Sequence, residues 1–358
     1  MRFWRLSTEG NRVDYAASRE VMTRFSTLSS ATTIIASIHL VGAFTSLSPR
    51  WRLRDLHVHK SSLVTESQTD LTTGLSMQTF RALPEQSTDL PALIFVHGSF
   101  HGGWCWAEHY LSFFAERGYP SYSVSLRGTS GSPTEAKSVA IGEHVNDLKS
   151  FIETTCDARR NASKPLVIAH SFGGVALMKL LEAHADIVGG AAFFCSVPPS
   201  GNGPMTQRFL STRPIASLKI VLGFVAKLAC SQPTLARELF FGDTLDDDEA
   251  ALKRYMAAFT RDSKVGLDLK ALSGALPSLS MSPDGTASWW QPDFAMPPVL
   301  VVGAELDFLV DKEGVAETSK FLGGAPFTML PGTHHDIMLG KRWLFAASVL
   351  EDWLKRLD

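Results

Sequence analysis

The stretch Leu166-Val-Ile-Ala-His170 runs directly into Ser171-Phe172-Gly173-Gly174 and then into an apolar segment of helical spacing. A sharp strand-to-helix turn of this kind lifts the Ser171 hydroxyl clear of both elements, and the small residues Ala169 and Gly173 on either side keep the turn free of clashes. The Phe172 N–H then stands at a helix N-terminus, where backbone donors face an anion. A serine so placed is a nucleophile if a base and an orienting acid reach it. Leu330-Pro-Gly-Thr-His-His-Asp-Ile-Met-Leu339 offers two bases, His334 and His335, in a loop between a predicted strand and the C-terminal helix. Pro298-Val-Leu-Val-Val-Gly-Ala-Glu-Leu-Asp-Phe-Leu-Val-Asp311 offers three acids, Glu305, Asp307 and Asp311. Of these, Asp307 has the Gly-x-x-x-Asp spacing that puts a carboxylate just beyond a strand terminus. The order serine, acid, histidine differs from that of the trypsin and subtilisin folds.

Such residues need strand ends to hold them. From residue 76 onward, short apolar runs alternate with longer helical ones. Strands are predicted over Met77–Arg81, Ala92–His97, Ser121–Leu126, Pro165–His170, Gly190–Ser196, Pro298–Gly303 and Pro326–Leu330. Helices are predicted over Trp104–Arg117, Ser138–Thr155, Phe172–Ala185, Gly314–Leu322 and Trp343–Leu357. This alternation builds an α/β fold with a mainly parallel, twisted sheet flanked by helices. The run Ala92-Leu-Ile-Phe-Val96 is continuously apolar, as in a strand covered on both faces. Between Pro198 and Met296 the strand signal gives way to amphipathic stretches at Ile215–Ala229, Thr234–Phe241 and Asp246–Arg261, so residues 198–296 read as an inserted helical lid.

The strand Ala92–Val96 runs into His97-Gly98-Ser99-Phe100-His101-Gly102-Gly103-Trp104-Cys105-Trp106, whose glycines let the backbone approach a substrate closely. With AHSFGG at 169–174 and HHDIML at 334–339, this block gives residues 76–358 a resemblance to the α/β-hydrolase superfamily. The likeness is to its esterase and hydroxynitrile-lyase-like branch, particularly plastid-type members from plants and algae. Leu126-Arg-Gly-Thr-Ser-Gly-Ser132 is similar to the family's turn after the fourth strand with one residue shifted, and Ala169 stands where the family usually has Gly.

The resemblance implies a Ser-His-Asp hydrolase of the α/β-hydrolase fold, with residues 76–197 and 297–358 as its core and no cofactor or metal. Counted from Gly332, the family's Gly-x-x-His pattern makes His335 the base, with Asp307 orienting it and Ser171 attacking. The N–H groups of Ser99 and Phe172 would bind the oxyanion. His97, Gly98 and His101 would organise that loop, and His170 adjoins the nucleophile. Dehalogenases and epoxide hydrolases of this fold place Asp where Ser171 stands, and lyases of this branch place Lys where Asp336 stands, so both chemistries are disfavoured. Alternatives are a C–C hydrolase or cofactor-free dioxygenase of the same fold, or a receptor-like member that binds ligand with little turnover.

Substrate choice falls to the lid. Phe209, Ile215, Leu222, Phe224, Val225, Phe240, Phe241, Met256, Phe259 and the pair Trp289-Trp290 are candidates for an apolar pocket suited to a small-molecule or lipid ester, although most read better as simply the core of the lid. Peripheral contact of the lid with a membrane is a further expectation.

The chain has 358 residues, 45% of them hydrophobic, and a net charge of −2, an ordinary globular composition without the basic balance of a nucleic-acid binder. Charge is nonetheless uneven, since residues 1–60 carry nine Lys or Arg against four acids. Phe25 to Pro49 lacks charged residues, and Val41-Gly-Ala-Phe44 followed by a Ser- and Arg-containing stretch resembles the two-part plastid address of algae with secondary plastids. Residues 1–75 therefore read as a targeting segment and linker directing the chain to a plastid. A secretory signal, a mitochondrial presequence or a membrane anchor are the alternatives. Cys105, Cys156, Cys195 and Cys230 form no CxxC pair and read as small buried hydrophobes.

Overall fold

The computed structural model describes residues 63–155, 163–290 and 296–357. In chain order these carry β1 (Thr65–Asp70), β2 (Ser76–Ala82), β3 (Leu93–Val96), α1 (Trp104–Ala107), α2 (Tyr110–Ala115), β4 (Ser121–Val124), β5 (Ser138–Val139), α3 (Ile141–Thr155), β6 (Leu166–His170), α4 (Phe172–His184) and β7 (Gly190–Phe194). A helical block follows, with α5 (Asn202–Thr212), α6 (Pro214–Ile220), α7 (Pro233–Ala236), α8 (Glu249–Asp262), the two-residue β8 (Gly266–Leu267) and α9 (Leu269–Ser273). Then come β9 (Val299–Ala304), α10 (Lys312–Phe321), β10 (Phe327–Leu330) and α11 (Trp343–Leu354).

Eight strands form one sheet in the order β1-β2-β4-β3-β6-β7-β9-β10, antiparallel across β1, β2 and β4 and parallel from β4 to β10. Every residue of β3, β6 and β7 is buried, the consequence of apolar side chains on both faces of the strand. After β3 the chain crosses to β4 on one side, whereas β6 lies on its other side. Loops leaving the carboxyl ends of β3 and β6 therefore diverge and open a crevice, where open α/β sheets bind ligands. The register pairs Val96 with Ala169, so both loops depart at one level.

Several boundaries differ from the sequence reading. The core starts before residue 76, because β1 pairs along its whole length with β2. Its sequence, Thr-Glu-Ser-Gln-Thr-Asp, lacks apolar alternation since it is an exposed edge strand, so the expected division at residue 75 fell inside the folded unit. The predicted helix 104–117 breaks at His109, whose φ of −139° is not helical and whose ring stacks on Trp343 at 4.7 Å. In the lid, α6 passes into a wider turn over Val221–Val225, where Gly223 packs against Leu239.

The lid is helical as expected, and polar ties fasten it to the sheet loops. Asp262, at the end of α8, accepts hydrogen bonds from Trp104 Nε1 at 2.8 Å and Ser130 N at 2.7 Å. Arg208 on α5 grips Asp311 with two hydrogen bonds of 2.8 and 2.7 Å. Cys105, Cys195 and Cys230 are free thiols, while Cys156 and the N-terminal apolar run lie outside the described residues. Among the described residues no helix is long and apolar enough to cross a membrane.

Close packing at the crevice generates a stability prediction. A Cβ on Gly173 would stand 2.5 Å from the His97 carbonyl oxygen and 3.0 Å from that of Val96, and neither backbone oxygen can move aside cheaply. Gly173→Ala should destabilise the fold by about 1–3 kcal/mol, as overpacking does in a dense core. Urea unfolding followed by circular dichroism measures it, and an unchanged midpoint would contradict the close approach.

Candidate active site

Ser171 sits between β6 and α4 with φ 52° and ψ −121°, a strained conformation for a residue with a side chain. Backbone bonds hold it there. Its N–H donates to the Phe194 carbonyl at 3.0 Å, and its own carbonyl accepts from Gly174 N at 3.0 Å and Val197 N at 3.1 Å. This turn leaves the Ser171 side chain partly exposed at the head of α4, while the strand behind it is fully buried.

The loop after β3 lies against that turn. A Cβ on Gly98 would come within 2.7 Å of Ser171 Cβ, so only glycine permits the contact. Leu126 N–H donates to His97 Nε2 at 2.9 Å, which makes Nε2 the acceptor and leaves Nδ1–H to donate to the Gly98 carbonyl at 2.7 Å. Burial holds the His97 pKa down at about 4, consistent with a neutral ring. Gly98 C=O and Ser99 N–H belong to one planar trans peptide, so His97 orients the Ser99 N–H as it holds the carbonyl. Phe172 is the first residue of α4 and its N–H has no intrahelical carbonyl. Among the described residues neither N–H meets a protein acceptor.

Of the candidate acids, Asp307 is the one beside a histidine. Its Oδ1 accepts from Leu309 N at 2.7 Å and Val310 N at 3.0 Å, and its Oδ2 lies 2.8 Å from His335 Nδ1. Glu305 instead accepts from Gly332 N, and Asp311 caps α10 through Gly314 N. The two histidines separate as well, because His334 turns outward to Asp243 in the lid at 3.2 Å. With Nδ1–H directed to Asp307, the Nε2 of His335 carries the free lone pair.

His170 ties the serine turn to the base loop. Its Nε2–H donates to the His335 carbonyl at 2.9 Å, and the two rings stand 4.7 Å apart. Among the described residues Ser171 Oγ makes no hydrogen bond; catalytic contacts of this kind commonly tighten only around a substrate.

Electrostatics divide these rings sharply. Burial depresses His170 well below the usual histidine value, and the neighbouring His335 and His101 add to the effect. Burial also pulls His335 down, but the Asp307 carboxylate, through its charge and its hydrogen bond, together with Asp336 outweighs that pull and raises it. His170, Cys195 and His335 bring ligand-type atoms within 4.8 Å of one another. Burial and the nearby Asp307 push the Cys195 thiol well above its ordinary range, and both histidines already hold hydrogen bonds there, so this trio suits packing better than metal ligation.

Asp336 was not singled out from the sequence except as the position that lyases fill with Lys. It is buried, and its Oδ2 stands 2.9 Å from His101 Nε2. Of the candidate pocket residues, Phe224 and Phe240 gather near the site, with Phe224 4.8 Å from Phe100 and Phe240 6.2 Å from His335. Phe209, Phe241, Met256 and Phe259 are buried in the core. Ile215 and Leu222 point outward instead, being 73% and 37% exposed. Trp289 and Trp290 pack instead by Phe321 and Gly323, at the end of α10. The Val225 side chain lies outside the described residues.

A family model described as "Alpha/beta hydrolase family" matches residues 93–346. The chain is similar to "Putative methylesterase 15, chloroplastic" of Arabidopsis thaliana, 22% identical over 206 residues, covering 54% of this chain and 45% of that protein. It is also 29% identical over 118 residues to "Putative methylesterase 12, chloroplastic" of the same plant, covering 32% of this chain and 33% of that protein. The matching segments thus span less than half the length of these relatives. Among solved structures, the enol-lactonase from Burkholderia xenovorans aligns with a TM-score of 0.60 at 16% identity, covering 81% of this chain and 100% of that chain. Potato epoxide hydrolase I aligns with a TM-score of 0.60 at 18% identity, covering 82% and 100%.

The opposed shifts of two neighbouring imidazoles can be measured directly. In a ¹⁵N-detected pH titration, His335 should protonate above the usual value of 6.5 and His170 well below it. Asp307→Asn removes the charge that favours the imidazolium, and burial then drives the His335 transition downward. An unmoved transition in that variant would break the assignment of Asp307 as its partner.

Proposed function

Because this chain belongs to the α/β-hydrolase family, we propose that it is a serine hydrolase that cleaves a carboxylic ester or thioester of an apolar small molecule or lipid. The observation that carries this reading is the buried Asp307–His335 pair, its imidazole 4.7 Å from the ring of His170, the residue that precedes a serine held in a strained strand-to-helix turn. Esterase names among the relatives support the bond type, and the aromatic side chains of Phe100, Phe224 and Phe240 support an apolar substrate.

In this mechanism His335 Nε2 takes the Ser171 proton as Oγ bonds to the carbonyl carbon. The carbonyl electron pair moves to oxygen, where the N–H groups of Ser99 and Phe172 receive the charge. One such donor is worth about 3–4 kcal/mol of transition-state stabilisation. Collapse of the tetrahedral species breaks the ester C–O bond, and the proton on His335 passes to the departing alcohol. His335 then deprotonates a water, which attacks the acyl-enzyme and frees the acid and Ser171. Asp307 stays ionised throughout, fixing the tautomer and balancing the imidazolium.

The exposed Leu210, Ile215, Leu218 and Val221 on α5, α6 and the turn after them support contact of the lid with a lipid surface. Chloroplastic names among the relatives and the basic N-terminal segment support a plastid address. Since β1 begins at Thr65, residues 1–62 fused to a fluorescent protein should carry it to plastids in an algal or plant cell. Diffuse cytosolic fluorescence would remove every targeted version.

A fluorophosphonate probe tests the chemistry. The full chain, with β1 in place, should be labelled, and Ser171→Ala should not. Asp307→Asn should lower ester turnover about 10⁴-fold by leaving the wrong tautomer of His335 facing the serine. A folded wild-type protein that resists the probe, yet holds an ester without turning it over, would support the ligand-binding alternative instead.

A further inference from the structure

Resting on the serine-hydrolase reading, we propose that the buried His101–Asp336 pair is a positioning device that locks the oxyanion-binding loop to the loop carrying the base. His101 Nδ1 stands 2.8 Å from the Ser99 carbonyl and its Nε2 stands 2.9 Å from Asp336 Oδ2. Both neighbours are oxygens, so two hydrogens are needed across the two contacts. Either the ring donates on both sides to a carboxylate, or Asp336 carries one hydrogen itself. In each case Nδ1–H donates to Ser99.

The Ser99 residue is thereby gripped at both flanking peptides. His97 Nδ1–H holds the Gly98 carbonyl at 2.7 Å on one side, and His101 holds the Ser99 carbonyl on the other. Phe100, the next residue, adopts a φ of 66°, which a side-chain-bearing residue keeps only where its surroundings impose it. The His101 ring itself is fixed, stacked on Trp104 at 5.5 Å and meeting the Phe259 edge at 4.8 Å.

Asp336 supplies the other anchor. It follows His335 directly, and its N–H donates to the Phe240 carbonyl at 3.0 Å. The linkage therefore runs Asp307, His335, Asp336, His101, Ser99, from the orienting acid to an oxyanion donor. A purely stabilising role explains the pair poorly. Buried ion pairs can often be replaced by apolar residues without loss of stability, and among the described residues Asp336 Oδ1 has no hydrogen-bond partner, lying 3.9 Å from His170 Nε2. With a side-chain exposure of 0%, Asp336 does not reach substrate and acts through His101.

The test uses the full chain, p-nitrophenyl acetate as substrate and a trifluoromethyl ketone as probe of the oxyanion site. Ser171 Oγ adds to the ketone carbon, its proton passes to His335, and the ketone oxygen becomes the oxyanion. Asp336→Asn can donate an amide N–H to His101 Nε2, which leaves Nδ1–H on the Ser99 carbonyl. At a pH well above the His335 transition, which loss of the Asp336 charge moves downward, it should therefore retain kcat and ketone affinity close to wild type. Asp336→Ala and His101→Ala should each lower kcat by about 10–10²-fold, the scale of a small misplacement of a reacting group. KM should change little, and ketone affinity should fall in parallel with kcat. The double variant should be no worse than His101→Ala alone, because both act through one chain of contacts.

Wild-type kcat and ketone affinity in the folded alanine variants would overturn the proposal, as would an Asn variant as poor as the Ala one. If Asp336→Ala loses its cooperative thermal melt, the Asn variant and His101→Ala decide the matter by the same readings. A wild-type chain that neither hydrolyses the ester nor takes the fluorophosphonate would remove the underlying serine-hydrolase reading together with this one. An active wild type with unaffected variants would remove this proposal alone.

Discussion

Beside Ser171 two backbone segments meet with no space for a side chain between them, and the arrangement of the site depends on that contact. Gly98 lies where a Cβ would stand 2.7 Å from Ser171 Cβ, and Gly173 where one would stand 2.5 Å from the His97 carbonyl. The sheet makes such closeness attainable, because β3 and β6 are parallel neighbours in register and their loops leave at the same level. Glycine makes it tolerable. The left-handed backbone at Ser171 costs on the order of 1–3 kcal/mol, and hydrogen bonds to Phe194, Gly174 and Val197 hold it against relaxation. The partly exposed serine and the two N–H groups that meet no acceptor among the described residues are thus products of the same packing constraint.

Buried imidazoles surround this point, and burial alone would leave all of them neutral. Their different behaviour follows from what each ring faces. His97 has a backbone donor on one nitrogen and a backbone acceptor on the other, so its neutral form is fully satisfied. His170 donates to a carbonyl but has no hydrogen-bond partner at Nδ1 among the described residues, and neighbouring rings add to its depression. His335 alone directs Nδ1 at a carboxylate that also takes two backbone N–H groups, so a positive charge on the ring is stabilised there. The proposed base is thereby set beside two rings, His97 and His170, that burial keeps neutral.

Motifs at strand ends were the most legible part of the sequence, because their residue types answer directly to backbone geometry. The serine turn, the glycine-rich loop after β3 and the strands that carry them follow from short apolar runs and small residues at fixed offsets. The strand β1 did not show, since an exposed edge strand of polar residues has no apolar alternation to read. The break at His109 did not show either, because it depends on a ring stacked on Trp343, more than two hundred residues away. Within the lid, spacing identified helices but could not say which side chains face the site. Ile215 and Phe224 belong to the same amphipathic stretch, and only packing against Phe100 and Phe240 directs one inward while the other meets solvent. The partner of Asp336 was hidden for a similar reason, since His101 lies 235 residues away in sequence.

The lid and the loops of the site form one mechanical unit. The segments that carry the proposed acid and base, and the one that follows the Ser99 loop, each have a polar contact with the inserted helices. On the acid side, Asp311 is gripped by Arg208. On the base side, the Asp336 N–H donates to the Phe240 carbonyl, and His334 and Arg342 both meet Asp243. After the oxyanion loop, Trp104 Nε1 donates to Asp262. Removing the lid would take the partners from the Asp336 N–H and Trp104 Nε1, at a cost of about 1–3 kcal/mol for each. A lid of different sequence could therefore retune the pocket through Phe224 or the outward helices, but it would have to keep Arg208, Asp262 and the course of the Phe240 backbone. Selectivity and chemistry are separable in this fold only where the lid does not also hold a loop in place.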